Sequence, residues 1–108
     1  MKKKNIIKKN EDFSRIINKR QRVSSRSLAI YYQKNKVIYP RFGISVGKKL
    51  GNAVFRNRVR RQVRSVLHEK LKTFNLPLDC IIMIRKTVEP LPYLELEKEL
   101  TSLINRLK

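Results

Sequence analysis

The stretch GNAVFRNRVRRQVR, residues 51–64, decides how the rest of the chain is read. Gly51 and Asn52 mark a stop and a cap, because an Asn side chain accepts from the free amides that open a helix. No Gly or Pro follows from Ala53 until Pro77, so a helix of about five turns fits within Leu50–Lys72. At about 100° per residue, Phe55, Val59, Val63, Val66 and Leu67 fall on one arc. Arg56, Arg60 and Arg64 recur every four residues along one edge of that arc. Asn57, Arg61 and His68 widen this column, and Arg58 stands on the opposite flank. One face is built to bury, and the next presents a row of guanidinium groups.

Five arginines lie between residues 56 and 64, and Glu69 is the only acid nearby. Like charges four residues apart weaken a helix. An ordinary solvated face mixes both signs, so an arginine column without acids points to a polyanion. Arginine rather than lysine suits bidentate phosphate contact and stacking on bases.

The composition agrees. A chain of 108 residues is expected to form one domain, residues 1–108, with a single modest core. The hydrophobic fraction of 41% suffices for a globular fold. The net charge of +19 is lopsided: residues 1–72 carry 22 Lys and Arg against 3 acids, whereas residues 73–108 carry 5 of each. The first two thirds hold the binding surface, and the last third reads as neutral scaffold. Such a charge fits nucleic acid or an anionic membrane. No apolar run of about 18 residues is present to span a membrane, and MKKKNIIKKN is followed by no apolar signal region. The single Cys80 has no internal disulfide partner and reads as a small buried hydrophobe. A reducing cytoplasm suits the whole.

In chain order, residues 1–9 read as a basic arm with a mobile end. Asn10, Glu11 and Asp12 start a short helix with Phe13, Ile16 and Ile17 on one face. Phe13 fits either core packing or an aromatic platform for unpaired bases. Arg22–Ser25 is a short edge strand. Ser27–Gln33 alternates, with Leu28, Ile30 and Tyr32 on one side and Ala29 and Tyr31 on the other. Lys34–Lys36 turns, and Arg41–Val46 alternates again, Phe42, Ile44 and Val46 opposite Gly43 and Ser45. The small residues on one face of both strands suggest a groove, although Gly43 and Gly47 fit a bulge or turn equally. Cys80–Ile84 reads as a strand covered on both faces, with Arg85 and Lys86 at its end. Glu89–Pro92 is a rigid linker. From Tyr93 a helix carries Leu96, Leu100, Leu103 and Leu107 as an apolar stripe. The predicted fold is a two-layer α/β sandwich: one mixed sheet of about four strands with three helices, in the order helix, strands, helix, strand, helix.

Catalytic machinery is missing from the residues. A protein nuclease needs paired carboxylates for metal ions or a histidine acid–base pair. The basic two thirds hold only Glu11, Asp12 and Glu69, and His68 is the single histidine. Zinc-ligand spacing, a phosphate-loop glycine pattern and a nucleophile elbow are all lacking. The expected role is to bind a polyanion, with no catalytic residue and no metal ligand on the protein.

The string RFGISVGKKLGNAVFRNRVRRQVR, Arg41–Arg64, resembles the signature of the protein subunit of bacterial ribonuclease P, with Arg56-Asn57-Arg58 as its RNR motif. KKNEDF at Lys8–Phe13 resembles that family's first helix, and the apolar strand before Arg85-Lys86 resembles its later strand. Ile17 stands where some relatives carry a second aromatic. The resemblance implies a left-handed crossover in the strand–helix–strand unit. It also implies an endoribonuclease made of protein and RNA, in which the RNA subunit carries the active site. With magnesium, held mainly by the RNA subunit and substrate, that enzyme removes the 5′ leader of precursor tRNA. The implied partners are the catalytic RNA and precursor tRNA, with no membrane and no DNA. Carried over by position, Arg56, Asn57, Arg58, Arg60, Arg61 and Arg64, with Lys48 and Lys49, face the RNA subunit. Phe13, Ile17, Tyr31, Lys8, Lys9 and Arg85 line a cleft for the leader. The competing readings are a ribosomal or general RNA-binding protein without a part in cleavage, an intrinsic nuclease, and a DNA-binding helix. The last lacks a helix-turn-helix pair or dimer zipper.

Overall fold

The computed structural model describes residues 2–85 and 92–107. Four strands form one mixed sheet: β1 (Arg22–Ser24), β2 (Leu28–Lys34), β3 (Arg41–Val46) and β4 (Leu78–Ile84), in the spatial order β1-β2-β4-β3. β2 pairs antiparallel with β1 and β4, whereas β3 and β4 run parallel. A parallel pair needs a long crossover, and α2 (Ala53–Lys70) supplies it. α1 (Asn10–Asn18) precedes the sheet and α3 (Tyr93–Arg106) closes the chain. The expected helices, sheet and element order are all present.

β4 is buried on both faces, and the layers follow from that. Cys80, Ile81 and Ile82 are fully buried. Cys80 and Ile82 join the larger core, where Leu28, Ile30, Phe42 and Val46 of the sheet meet two helices. α2 contributes Val59, Val63, Val66 and Leu67, and α3 contributes Leu96, Leu100, Leu103 and Ile104. Phe74, in the connection after α2, packs its ring 6.0 Å from Phe42. Ile81 points to the other face, into a small second core with Ile7 of the N-terminal segment and Ile16 of α1. Phe13, Ile17 and Tyr31 edge that core.

Beyond one-residue shifts at β1 and β2, three features differ from the sequence reading. β4 begins at Leu78, ahead of the apolar run, because Asp79 is a buried ladder residue that periodicity reads as an interruption. The cap position of α1 is Lys9, without a side-chain bond; Asp12 instead pairs with Arg15 at 3.1 Å. The segment read as a basic arm with a mobile end is docked over residues 3–7. Asn5 is buried and its Nδ2 donates to Pro40 O at 2.7 Å, and Ile7 N donates to Phe42 O at 2.8 Å. Ile6 bridges Phe42 in parallel, so this segment covers the start of the outer edge of β3. Burying Ile7 outweighs the surrounding lysines, whose charges stay in water. Lys86 and all of the Glu89–Pro92 linker except Pro92 lie outside the described residues.

Asp79 ties the layers together. It is 3% exposed and accepts from Arg41 Nε at 2.8 Å, Arg41 Nη2 at 2.6 Å and Asn35 Nδ2 at 2.9 Å. Arg15 of α1 approaches to 3.5 Å. Burial alone pushes the Asp79 carboxyl up, but the bonds from Arg41 and Asn35 and the charges of Arg41 and Arg15 outweigh it. The carboxyl is therefore held below its ordinary value, and the hydrogen bond to Asp79 raises the Arg41 guanidinium in turn. A carboxyl lowered by folding stabilises the protein above its unfolded pKa, near 4, and that contribution disappears as pH falls through the lower folded value. Asp79→Asn is expected to lower stability by about 1–3 kcal/mol at neutral pH, since Arg41 keeps some solvent. Urea unfolding from pH 7 down to about pH 2 checks this: the two proteins differ at neutral pH and converge at the acid end.

Candidate nucleic-acid interface

α2 opens as its sequence requires. Asn52 Oδ1 accepts from Phe55 N at 2.9 Å. Gly51 has a second role that its reading as a stop missed. A Cβ there would lie 2.6 Å from Phe55 Cδ2, so the Phe55 ring lies against bare backbone. Arg58 then places its guanidinium 5.8 Å from the centre of the same ring, a cation–π contact.

The arginines divide between two surfaces. Arg60 and Arg64 line a cleft of about 840 Å³, and Arg60 Nη1 donates to Asn57 Oδ1 at 3.1 Å. Arg58 and Arg61 are exposed and do not line it. Arg56 is half-buried, and its Nε has no hydrogen-bond partner among the described residues. A buried donor without an acceptor is unfavourable in the free protein and suits an incoming anion. Lys48 and Lys49 are exposed on a 3-10 turn, Lys48–Leu50, between β3 and α2.

Opposite α2, the cleft wall is formed by Lys3, Ile6, Ile7, Lys8, Asn10 and Phe13, and β3 from Phe42 to Val46 is the floor. Phe13 lies across Gly43: a Cβ at Gly43 would sit 2.6 Å from Phe13 Cζ and 2.9 Å from Ile81 Cδ1. Gly43 is therefore neither bulge nor turn but the gap that admits the ring. Both readings of Phe13 hold in part, since the ring edges the second core and also lines the cleft.

The structure brings together Lys8 and Phe13, expected at the leader cleft, with Arg60 and Arg64, expected at the RNA-subunit face. It does not bring Ile17, Tyr31, Lys9 or Arg85 into that cleft. Tyr31 shares a cross-strand row with Ile81 and Gly43, two strands away from β3, and edges the second core. Arg22 donates to its hydroxyl at 3.2 Å and lies 6.0 Å from its ring centre. Lys9 is the exposed cap of α1, and Arg85 donates to Ser25 O at 3.2 Å. Lys3 and Ile6 were missed as cleft residues; the apolar pair Ile6-Ile7 inside the lysine string was their signal. The described cleft side chains are cations, an amide, a hydroxyl and hydrocarbon, with no carboxylate among them, so they do not fit a magnesium ion.

The comparisons with known proteins cover the chain almost from end to end. The sequence model of the ribonuclease P family matches residues 1–108. The chain belongs to that family. It is 44% identical to the ribonuclease P protein component of Mycoplasma mycoides, covering all of both chains. It is 43% identical to that of Streptococcus agalactiae over 93% of this chain and 91% of the other. The structure of Staphylococcus aureus RNase P protein superposes with a TM-score of 0.86 at 37% identity, over 96% of this chain and 95% of that one. The ribonuclease P protein from Thermotoga maritima, at 24% identity, shares the fold with a TM-score of 0.86 over 94% of this chain and 96% of that one.

The Phe13–Gly43 contact carries a prediction. Gly43→Ala forces its methyl group against the Phe13 ring and the Ile81 side chain, an overpacking expected to destabilise by about 1–3 kcal/mol. Denaturant unfolding measures it, and Gly47→Ala is the control, since no atom of the described residues lies within 4 Å of a Cβ there. Equal midpoints for the two variants contradict the packing described.

Proposed function

We propose that this chain, as the protein component of a bacterial ribonuclease P, binds the catalytic RNA and holds the 5′ leader of precursor tRNA. It thereby assists magnesium-dependent removal of that leader, in the cytoplasm. One observation supports this most: Arg60 and Arg64 on α2 face Lys3, Lys8 and Phe13 across a single cleft. A groove with cations on both walls and an aromatic ring beside its floor suits a single strand, with phosphates at the walls and a base against the ring. Arg56, Asn57, Arg58 and Arg61, with Lys48 and Lys49, belong in this reading to the face that meets the RNA subunit. Tyr31, Ile17, Lys9 and Arg85 belong to a margin that the leader reaches beyond the cleft.

The protein's contribution is electrostatic and positional. Two folded RNAs repel each other, and a chain of net charge +19 between them offsets that repulsion. Chemistry rests with the RNA subunit, and magnesium rests on RNA oxygens, in keeping with a cleft whose described residues include no carboxylate. The runner-up, a general RNA-binding protein, fits the charge equally well but not the family.

The test is leader release from precursor tRNA by the RNA subunit, with and without protein, across a magnesium series. The protein is expected to matter most at low magnesium, because added cations screen the same phosphates. The protein alone is expected to cut nothing, and His68→Ala to leave the reconstituted rate within about threefold, far inside the ~10²–10⁴-fold typical of a general acid or base. A protein that leaves leader release unchanged at every magnesium concentration contradicts the proposal.

Arg60→Ala and Arg64→Ala are expected to keep the fold and weaken RNA binding. Each lost phosphate contact flattens the salt slope by about one unit. Titrations at several salt concentrations, against RNA subunit and precursor tRNA separately, report which RNA meets each arginine. An unchanged slope for both variants removes the column from the interface.

A further inference from the structure

Two non-glycine residues among those described have a left-handed backbone, Arg20 at φ 59° and Ile38 at φ 63°. Arg20 is explained by its place: it follows the last turn of α1, and its N–H donates to Ile17 O at 3.1 Å. Ile38 ends no helix. It lies in the connection between β2 and β3, and its branched Cβ is poorly tolerated in this region. The residue is also 83% exposed, the most of any large hydrophobic residue described. In the free chain, then, neither the backbone of Ile38 nor its side chain stabilises the fold.

The surrounding frame holds the residue in this state. Asn35 N donates to Pro77 O at 2.9 Å, and Asn35 Nδ2 donates to Tyr39 O and Asp79 Oδ1, each at 2.9 Å. Asn5 Nδ2 donates to Pro40 O at 2.7 Å. Both ends of the loop are thus fixed, from the N-terminal segment and from β4, while its tip stays bare. A strained residue persists where its neighbours over-determine it, and such residues cluster at functional sites. The charge around the tip has one sign. Lys34 and Lys36 are exposed, residues 34–40 contain no acid, and Lys4 holds its Nζ 4.7 Å from the centre of the Tyr39 ring. Lys3, next along the chain, lines the cleft, so the basic surface runs from the cleft to the tip.

We propose that Ile38 is a preorganised contact for RNA outside the cleft. Its side chain packs on an unstacked base or ribose of a strand that leaves the cleft past Lys3 and Lys4, while Lys34 and Lys36 meet the flanking phosphates. Aliphatic wedges of this kind are a known device of nucleic-acid binding. Because the β-branched residue is held ready, ordering at the moment of binding is small. The inference rests on the RNA-binding reading above. The strand comes from the RNA subunit or from the precursor leader, and the experiment separates them.

The test uses the full chain with Ile38→Asn, Ile38→Gly and Ile38→Leu. Asn and Gly accept the left-handed backbone, so both variants are expected to melt at a higher temperature than the parent. Both are also expected to bind more weakly, by about threefold or more, as suits the loss of a partly buried aliphatic contact. Ile38→Leu, which keeps an apolar side chain, is expected to bind within about twofold of the parent. Binding is measured against a transcript of the RNA subunit, against precursor tRNA presented to the assembled holoenzyme, and against phosphatidylglycerol vesicles. The transcript whose affinity falls names the source of the strand. Higher melting temperatures with unchanged affinity for both RNAs overturn the inference, as do lower melting temperatures, which make Ile38 structural. A loss seen only on phosphatidylglycerol vesicles overturns it in favour of a membrane surface. A parent protein that binds neither RNA instead overturns the function proposed above.

Discussion

Burial of β4 on both faces is the constraint from which the other layers follow. A strand with Cys80 and Ile82 on one side and Ile81 on the other needs apolar cover twice. α2 and α3 cover the first side with a full stripe each. Among the described residues, the second side receives α1 and the short segment around Ile7, a much smaller set of side chains. The unequal cover leaves the β3 margin open. The N-terminal segment pairs with β3 only near Phe42, and the rest of the strand becomes the floor of the cleft. The cleft is thus where a complete layer and an incomplete one fail to meet. Cations from both converge there, Arg60 and Arg64 from one layer and Lys3 and Lys8 beside Ile6, Ile7 and Phe13 from the other.

Charge sets the opposing term. Arginines on α2 repel one another, and the whole chain repels itself at +19. The main core carries that load: Val59 and Val63 are buried one residue before the exposed or half-exposed Arg60 and Arg64. The buried Asp79 has the reverse role. It draws Arg15, Arg41 and Asn35 inward, neutralises charge between α1 and the sheet, and fixes the loop that carries Ile38. One acid at the right depth orders the cations of α1 and β3 around it.

Much of this was legible from periodicity. Asn52 caps α2 as read, and Val59, Val63, Val66 and Leu67 are its buried residues. The alternation of β2 and β3 sorted Leu28, Ile30, Phe42 and Val46 to the main core and Tyr31 and Gly43 to the other face. What periodicity missed depends on contacts between residues far apart in the chain. Phe13 and Gly43 are separated by α1, β1 and β2, and nothing local to either says that they touch. Lysines masked the apolar pair Ile6-Ile7, so docking looked like an arm. Asp79 fell outside the strand read at Cys80–Ile84, because a single acid ahead of an apolar run carries no strand pattern. Arg60 and Lys8 share a cleft only because of how the two helical layers flank β3, which no spacing on either helix encodes.

The two close-approach glycines explain how a surface with so much mobile charge keeps a defined shape. Arginine and lysine side chains are long, and their heads are placed only as well as the backbone beneath them. At Gly51 the Phe55 ring closes onto the turn before α2, and Arg58 stacks on that ring. At Gly43 the Phe13 ring closes onto β3, next to the lysines at the start of α1. Each pair locks an aromatic against bare backbone at one end of a basic element. Successive turns of α2 then repeat the backbone positions that bear Arg56, Arg60 and Arg64 at about 6 Å intervals. Rigid aromatic anchors set where each basic element begins, and helix geometry sets the spacing. A polyanion that meets this surface relieves the repulsion without first having to order the backbone that bears it.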